Sequence, residues 1–168
     1  MRKALDFLYD SAAALAALFM VGLLAMVLLS IAGRQLHFNV PGTDAYAGYL
    51  MAGAGFLALA HTLKRGEHIR VTLILSSLGP AARRWLERWA MGASAVLAAL
   101  FAFYSVRLVV NSHAFNDIST GNDATQLWIP QLAMATGTVI LAIATLDEFV
   151  LEWRGRVVTQ PTEALRHE

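Results

Sequence analysis

Glu67 and His68 are the neighbouring side chains best equipped for chemistry in this 168-residue chain, and they lie within the charged stretch HTLKRGEHIRVTLILSSLGP at residues 61–80. A carboxylate beside an imidazole is raw material for general acid–base catalysis, because histidine titrates near neutral pH and a neighbouring acid tunes it. Nothing completes such a centre: there is no HExxH, no Ser–His–Asp spacing, no phosphate-binding glycine loop and no carboxylate cluster. The pair is read as interfacial polar groups bonded to loop backbone or to a neighbouring helix end. The five histidines raise a second chemistry, haem held between two axial imidazoles on facing helices. Such ligands must share one depth. His61 closes an apolar run at one side, whereas His37 and His113 fall at the other side in the polar stretches HFNVPG and NSHAFND, so only the last two could meet. They are read as interfacial histidines without a cofactor. With no cysteine in the chain, disulfides, thiolate metal sites, iron–sulfur clusters and cysteine nucleophiles are excluded. The expectation is a chain that catalyses nothing alone and holds no cofactor or metal.

The elements that carry these residues are apolar. Hydrophobic residues make up 57% of the chain and charged ones 15%, with a mean hydropathy of +0.54, outside the balance of a water-soluble domain. Four runs lack Asp, Glu, Lys and Arg: 11–33, 45–63, 89–106 and 124–146. Each has about the 20 residues a membrane helix needs. Four such helices in a soluble core would leave the chain almost no polar helix faces. The first run is too long for the apolar region of a signal peptide and is interrupted upstream by Asp6 and Asp10, so it is read as a retained helix. The expected fold is therefore an all-α membrane protein. Four transmembrane helices, at about 11–33, 45–63, 87–110 and 127–151, form a domain over 1–155, and a short tail occupies 156–168.

Charge sets the expected orientation, since Lys and Arg accumulate in short cytoplasmic loops. Eleven basic residues fall in the N-terminus, the middle loop and the tail, against only Arg34 and Arg107 in the other two loops. Both termini of this multi-pass membrane chain are thus expected in the cytoplasm. Between the second and third helices, Val71, Ile74, Leu75 and Leu78 share one helical face, which suits a short amphipathic segment lying in the membrane plane. An alternation of Ile69, Val71, Leu73 and Leu75 keeps an extended alternative open. Lys64, Arg65 and Arg70 would meet lipid head groups there, Gly66 would permit the turn, and Pro80 would open the next helix. Thr43 or Asp44 is expected to cap the second helix, and Pro130 to lie near the start of the fourth. Small residues mark helix-packing seams at Ala90, Ser94, Ala98 and Ala102, at Gly48, Ala52 and Gly55, and at Ala133 and Gly137. These seams serve either packing within the bundle or docking of a partner.

Three motifs in order carry a resemblance: Gly33 with Arg34 closing the first helix, Arg65, Gly66, His68 and Ile69 after the second, and Ile129 with Pro130 near the start of the fourth. Over about residues 5–155 the chain resembles the small membrane subunit of tripartite ATP-independent periplasmic (TRAP) transporters. Where relatives often carry one or two glutamates, this sequence has Thr43, Asp44 and Ala45, so one carboxylate is kept on a shorter side chain. The resemblance implies a non-catalytic scaffold that braces a large permease subunit and helps dock a periplasmic substrate-binding protein, during sodium-coupled uptake of organic acids. On that reading, Arg34, Asp44, Arg65, Gly66, Glu67, His68, Arg70 and Pro130 are the motif and interface candidates. Two alternatives stand beside it: a membrane anchor of a respiratory oxidoreductase carrying haem b, and a stand-alone small channel or transporter.

Overall fold

The computed structural model describes residues 2–38, 40–65 and 79–153. Among them the chain forms four α-helices: α1 (Arg2–Gln35), α2 (Thr43–Lys64), α3 (Pro80–Ala114) and α4 (Trp128–Trp153). Lipid offers no hydrogen bonds, so a spanning backbone must satisfy its own, and these alanine- and leucine-rich runs do so as helices. Three stretches are long and apolar enough to cross a membrane: Lys3–Gln35, Ala81–Ala114 and Trp128–Leu151. The remaining helix, α2, is the shortest at 22 residues. Its apolar character is diluted by Tyr46, Gly48, Tyr49, Gly53 and Gly55. Pro80 sits at the first turn of α3, as its missing amide proton suggests, so this helix starts ahead of the expected span. The expected in-plane segment over residues 70–78 lies outside the described residues, as does the tail.

In space α1 packs on α2, α2 on α4, and α4 on α3, with a short contact between α1 and α4. The central pair is therefore α2 and α4, flanked by α1 and α3. Alanines dominate the core. One cluster joins Tyr9 and Ala12 of α1, Ala60 of α2, and Ile140 and Ala144 of α4; another joins Ala98 and Ala102 of α3 to Ala142 of α4. Large apolar side chains instead face outward, among them Leu18, Val21 and Leu24 on α1 and Val96, Leu97 and Phe103 on α3. Such faces are costly in water and comfortable in lipid, where helices associate through close approach of small residues.

The closest approach to the backbone of another helix is at Gly137 of α4, where an added Cβ would lie 2.5 Å from the carbonyl carbon and oxygen of Phe56 on α2. Gly53 of α2 gives room in turn to the Phe19 ring and to Ala133. The expected seams thus divide. Ala98, Ala102 and Gly137 are spent inside the bundle, whereas Ala90 and Ser94 are exposed, and a Cβ at Gly48 or Gly55 would meet nothing within 4 Å.

Candidate functional site

The end of the bundle that carries the α1–α2 and α3–α4 connections is built from two helix stops. At the end of α1 the Phe38 amide donates to the Gly33 carbonyl at 3.0 Å, and His37 takes a left-handed conformation with φ 59°. This is a Schellman-type closure, with histidine where glycine is usual. Gly33 permits it, because a Cβ there would sit 2.8 Å from the Phe38 carbonyl oxygen. At the end of α3 the Asp117 amide donates to the Ser112 carbonyl and the Asn116 amide to the His113 carbonyl, with Asn116 at φ 52°. Both helices therefore release the chain abruptly into polar loops.

A carboxylate ties the α3–α4 loop to the first turns of α2. Asp123 Oδ2 accepts from the Tyr49 hydroxyl at 3.0 Å, and its Oδ1 accepts from the Ser119 hydroxyl at 2.8 Å, while the Thr125 hydroxyl donates to Tyr46 Oη at 3.2 Å. Gly42 is required beneath them for two reasons: its φ is +83°, and a Cβ would fall 2.9 Å from that of Asp123. The hydroxyl of Thr125, then those of Ser119 and Tyr49, hold the Asp123 carboxyl down to about 2 from 3.8. A lowered pKa favours the paired, ionised form, so its contribution is complete above the ordinary value and is lost as pH falls through about 2. The side-chain carboxyl carbon shift of Asp123, read by NMR, is expected to stay constant from about pH 8 to 5 and to change only in acid below about pH 4. A shift between the first two values would contradict the assignment.

Beside this tie lies an open cavity of about 490 Å³ lined by Arg34, His37, Thr43, Asp44, Gly121 and Asn122, among others. The first turn of α2 opens into it without a side-chain cap, contrary to the cap expected from Thr43 or Asp44, because Gly42 occupies the capping position. Among the described residues neither Arg34 nor Asp44 takes part in an ion pair. The cavity thus holds one exposed cation and one exposed anion, each open to a partner. Pro130, two residues into α4, lies at this same end of the bundle. His113, which sequence placed as the possible mate of His37, stacks edge-on against Trp128 at 5.2 Å between ring centroids.

The opposite end carries a knot of charge that sequence reading did not assemble. Lys64 Nζ of α2 pairs with Asp147 and, at 3.1 Å, with Glu148 of α4, and it lies 5.3 Å from the centre of the Tyr9 ring of α1. Glu148 is nearly fully buried. His61 Nδ1 adds a longer contact to Asp10 at 3.6 Å. The signal was present: charges ending two parallel spans on one side must meet if the helices are neighbours. Arg65 follows directly and is exposed. Gly66, Glu67, His68 and Arg70 lie outside the described residues.

The chain matches the family model of "Tripartite ATP-independent periplasmic transporters, DctQ component" over residues 23–155. No curated protein matches it.

Proposed function

We propose a role that proceeds from one premise: the chain belongs to the DctQ component family of tripartite ATP-independent periplasmic transporters, whose member in each system is the small permease. In these systems it works with a large permease and a substrate-binding protein. The proposed role is that of a four-span scaffold with both termini in the cytoplasm, bracing the large permease in the bacterial inner membrane and helping to dock the binding protein during sodium-coupled uptake of organic acids.

The observation that carries this reading is the nature of the interior. Between the two charged ends, the buried polar side chains among the described residues are Ser105, Thr138 and Thr145, and both threonines donate to carbonyls of their own helix. A transport path or catalytic centre at membrane depth calls for ionisable groups facing a cavity. Here ionisable groups gather at the ends, where a brace needs them. The Arg34, His37 and Asp44 cavity, with the Asp123-tied loop beside it, supplies the surface proposed for the binding protein.

The uncovered Gly48, Ala52 and Gly55 face of α2 supports a seat for the large permease, since the absence of a side chain at these glycines serves no contact among the described residues. Gly55→Leu tests it. The isolated chain should keep its thermal stability to within about 0.5 kcal/mol, as an exposed substitution does. Recovery of the large permease on the tagged chain from solubilised membranes should nevertheless fall severalfold. Full recovery with the variant would remove this face from the interface, and failure of the unaltered chain to retain the large permease would contradict the scaffold itself.

A further inference from the structure

At the Lys64 end, α3 and α4 carry an aromatic and cationic arrangement that neither the ion-pair knot nor the scaffold role uses. Phe149 of α4 lies over Gly92 of α3, where a Cβ would meet its ring at 3.3 Å, and Phe149 in turn touches Trp153 with ring centroids 5.9 Å apart. The Arg88 guanidinium lies 6.0 Å from the centre of the Trp153 ring. Among the described residues Arg88 takes part in no ion pair, whereas Arg83 on the same helix is occupied by Glu87 at 3.0 Å. Trp153 is 68% exposed; Trp85, which shares a helix face with Arg88, is 68% exposed, and Trp89, which follows Arg88 directly and shares a face with Trp85, is 61% exposed. Three indoles left open around one arginine are unusual among buried aromatics and usual at a membrane surface.

Depth agrees with that surface. Trp153 lies five residues beyond Glu148, which places it about 7.5 Å further along the α4 axis than the knot. The knot closes the apolar interior, so Arg88 and Trp153 stand at the level of lipid head groups. A guanidinium held near an indole keeps the donors on its edge free, and those donors fit the paired oxygens of a phosphate. The flanking indoles present apolar rings to the first part of the acyl chains and polar N–H groups to the glycerol region.

We propose that Arg88 and Trp153, flanked by Trp85 and Trp89, form a binding site for an anionic phospholipid whose phosphate bonds the edge of the Arg88 guanidinium. Charge complementarity selects this occupant over a neutral lipid, and the ring of exposed indoles selects it over a soluble anion. Placing that lipid in the cytoplasmic leaflet rests on the proposed orientation; the site itself does not.

Native mass spectrometry of the detergent-purified full chain, titrated with phosphatidylglycerol or phosphatidylcholine, tests the site. The unaltered chain is expected to retain phosphatidylglycerol in preference to phosphatidylcholine. Arg88→Gln should weaken phosphatidylglycerol binding about tenfold, the loss of one charge-assisted contact, and should weaken phosphatidylcholine, whose phosphate is offset by its own choline cation, much less. Arg83→Gln should leave both unchanged, which separates the site from the general basic charge of α3. Equal retention of phosphatidylglycerol by the unaltered chain and Arg88→Gln overturns the proposal. So does an Arg88→Gln chain that binds lipid normally but loses the large permease, which would make this a protein contact. Because the chain has no cysteine, a single cysteine at Ala81 labelled by an impermeant maleimide reads the orientation separately. Labelling from the periplasmic side would move the site to the other leaflet without touching its lipid preference.

Discussion

Replacing Lys64 by methionine is expected to lower the stability of the purified chain by about 2–4 kcal/mol, because it leaves two carboxylates at one helix end without their shared cation. A lost buried pair usually costs about 3–5 kcal/mol. Lys64 and Asp147 are each about a quarter exposed at the side chain, so water recovers part of that, but Glu148 keeps only 8% exposure and cannot be rehydrated in place. For a chain of this length the change corresponds to a fall of roughly 5–10 °C in the unfolding midpoint. Lys64→Arg should retain most of the stability through its several donors. Removing both carboxylates together with the lysine, as Lys64→Met, Asp147→Asn and Glu148→Gln, should recover much of the loss. A normal midpoint for Lys64→Met alone would show that the knot contributes nothing to holding α2 on α4.

Gly137→Ala is expected to be the most disruptive single-methyl change in the bundle. Alanine is favoured over glycine in a helix by about 1 kcal/mol, so the substitution would stabilise an isolated α4. Against this, its Cβ would fall 2.5 Å from the Phe56 backbone, and a carbonyl within a helix cannot rotate aside as a side chain can. Overpacking of about 1–3 kcal/mol then outweighs propensity and pushes the two central helices apart. Gly92→Ala is the control, since its Cβ would press only on the Phe149 ring at 3.3 Å, which has room to shift by a few tenths of an ångström. Thermal unfolding should rank Gly137→Ala below the unaltered chain and Gly92→Ala near it. Equal midpoints for the two variants would mean that α2 and α4 do not approach as closely as described.

These two sites show where sequence reading stops. The number of helices, the Pro80 start and the place of Pro130 were legible, because each depends on local chemistry, an apolar run or a missing amide proton, whereas the Gly33–Arg34 closure came with the family resemblance. Neighbours were not. In lipid both the interior and the exterior of a bundle are apolar, so no polar face tells a buried seam from an open one. Gly137 and Gly55 look alike in sequence, yet one lies against a backbone and the other faces open space. The same blindness hid the pairing of Lys64 with Asp147 and Glu148, whose meeting depends on α2 lying beside α4, and that of Asp123 with Tyr49, residues 74 positions apart. The expected cap at Thr43 or Asp44 failed for a different reason: the left-handed Gly42 took the capping position, and both candidates turned into the cavity wall. Of the eight motif and interface candidates, Arg34 and Asp44 share the cavity, Pro130 sits at that same end, and Arg65 stands at the other end. Gly66, Glu67, His68 and Arg70 are carried by the proposal alone.

Uptake by intact cells tests the central claim, that this chain is an essential subunit of its transporter. With the gene deleted, uptake of the radiolabelled acid captured by the cognate binding protein should vanish, while capture by the purified binding protein should be unchanged. Restoring the chain should restore uptake. Uptake at the normal rate in the deletion strain would contradict the account.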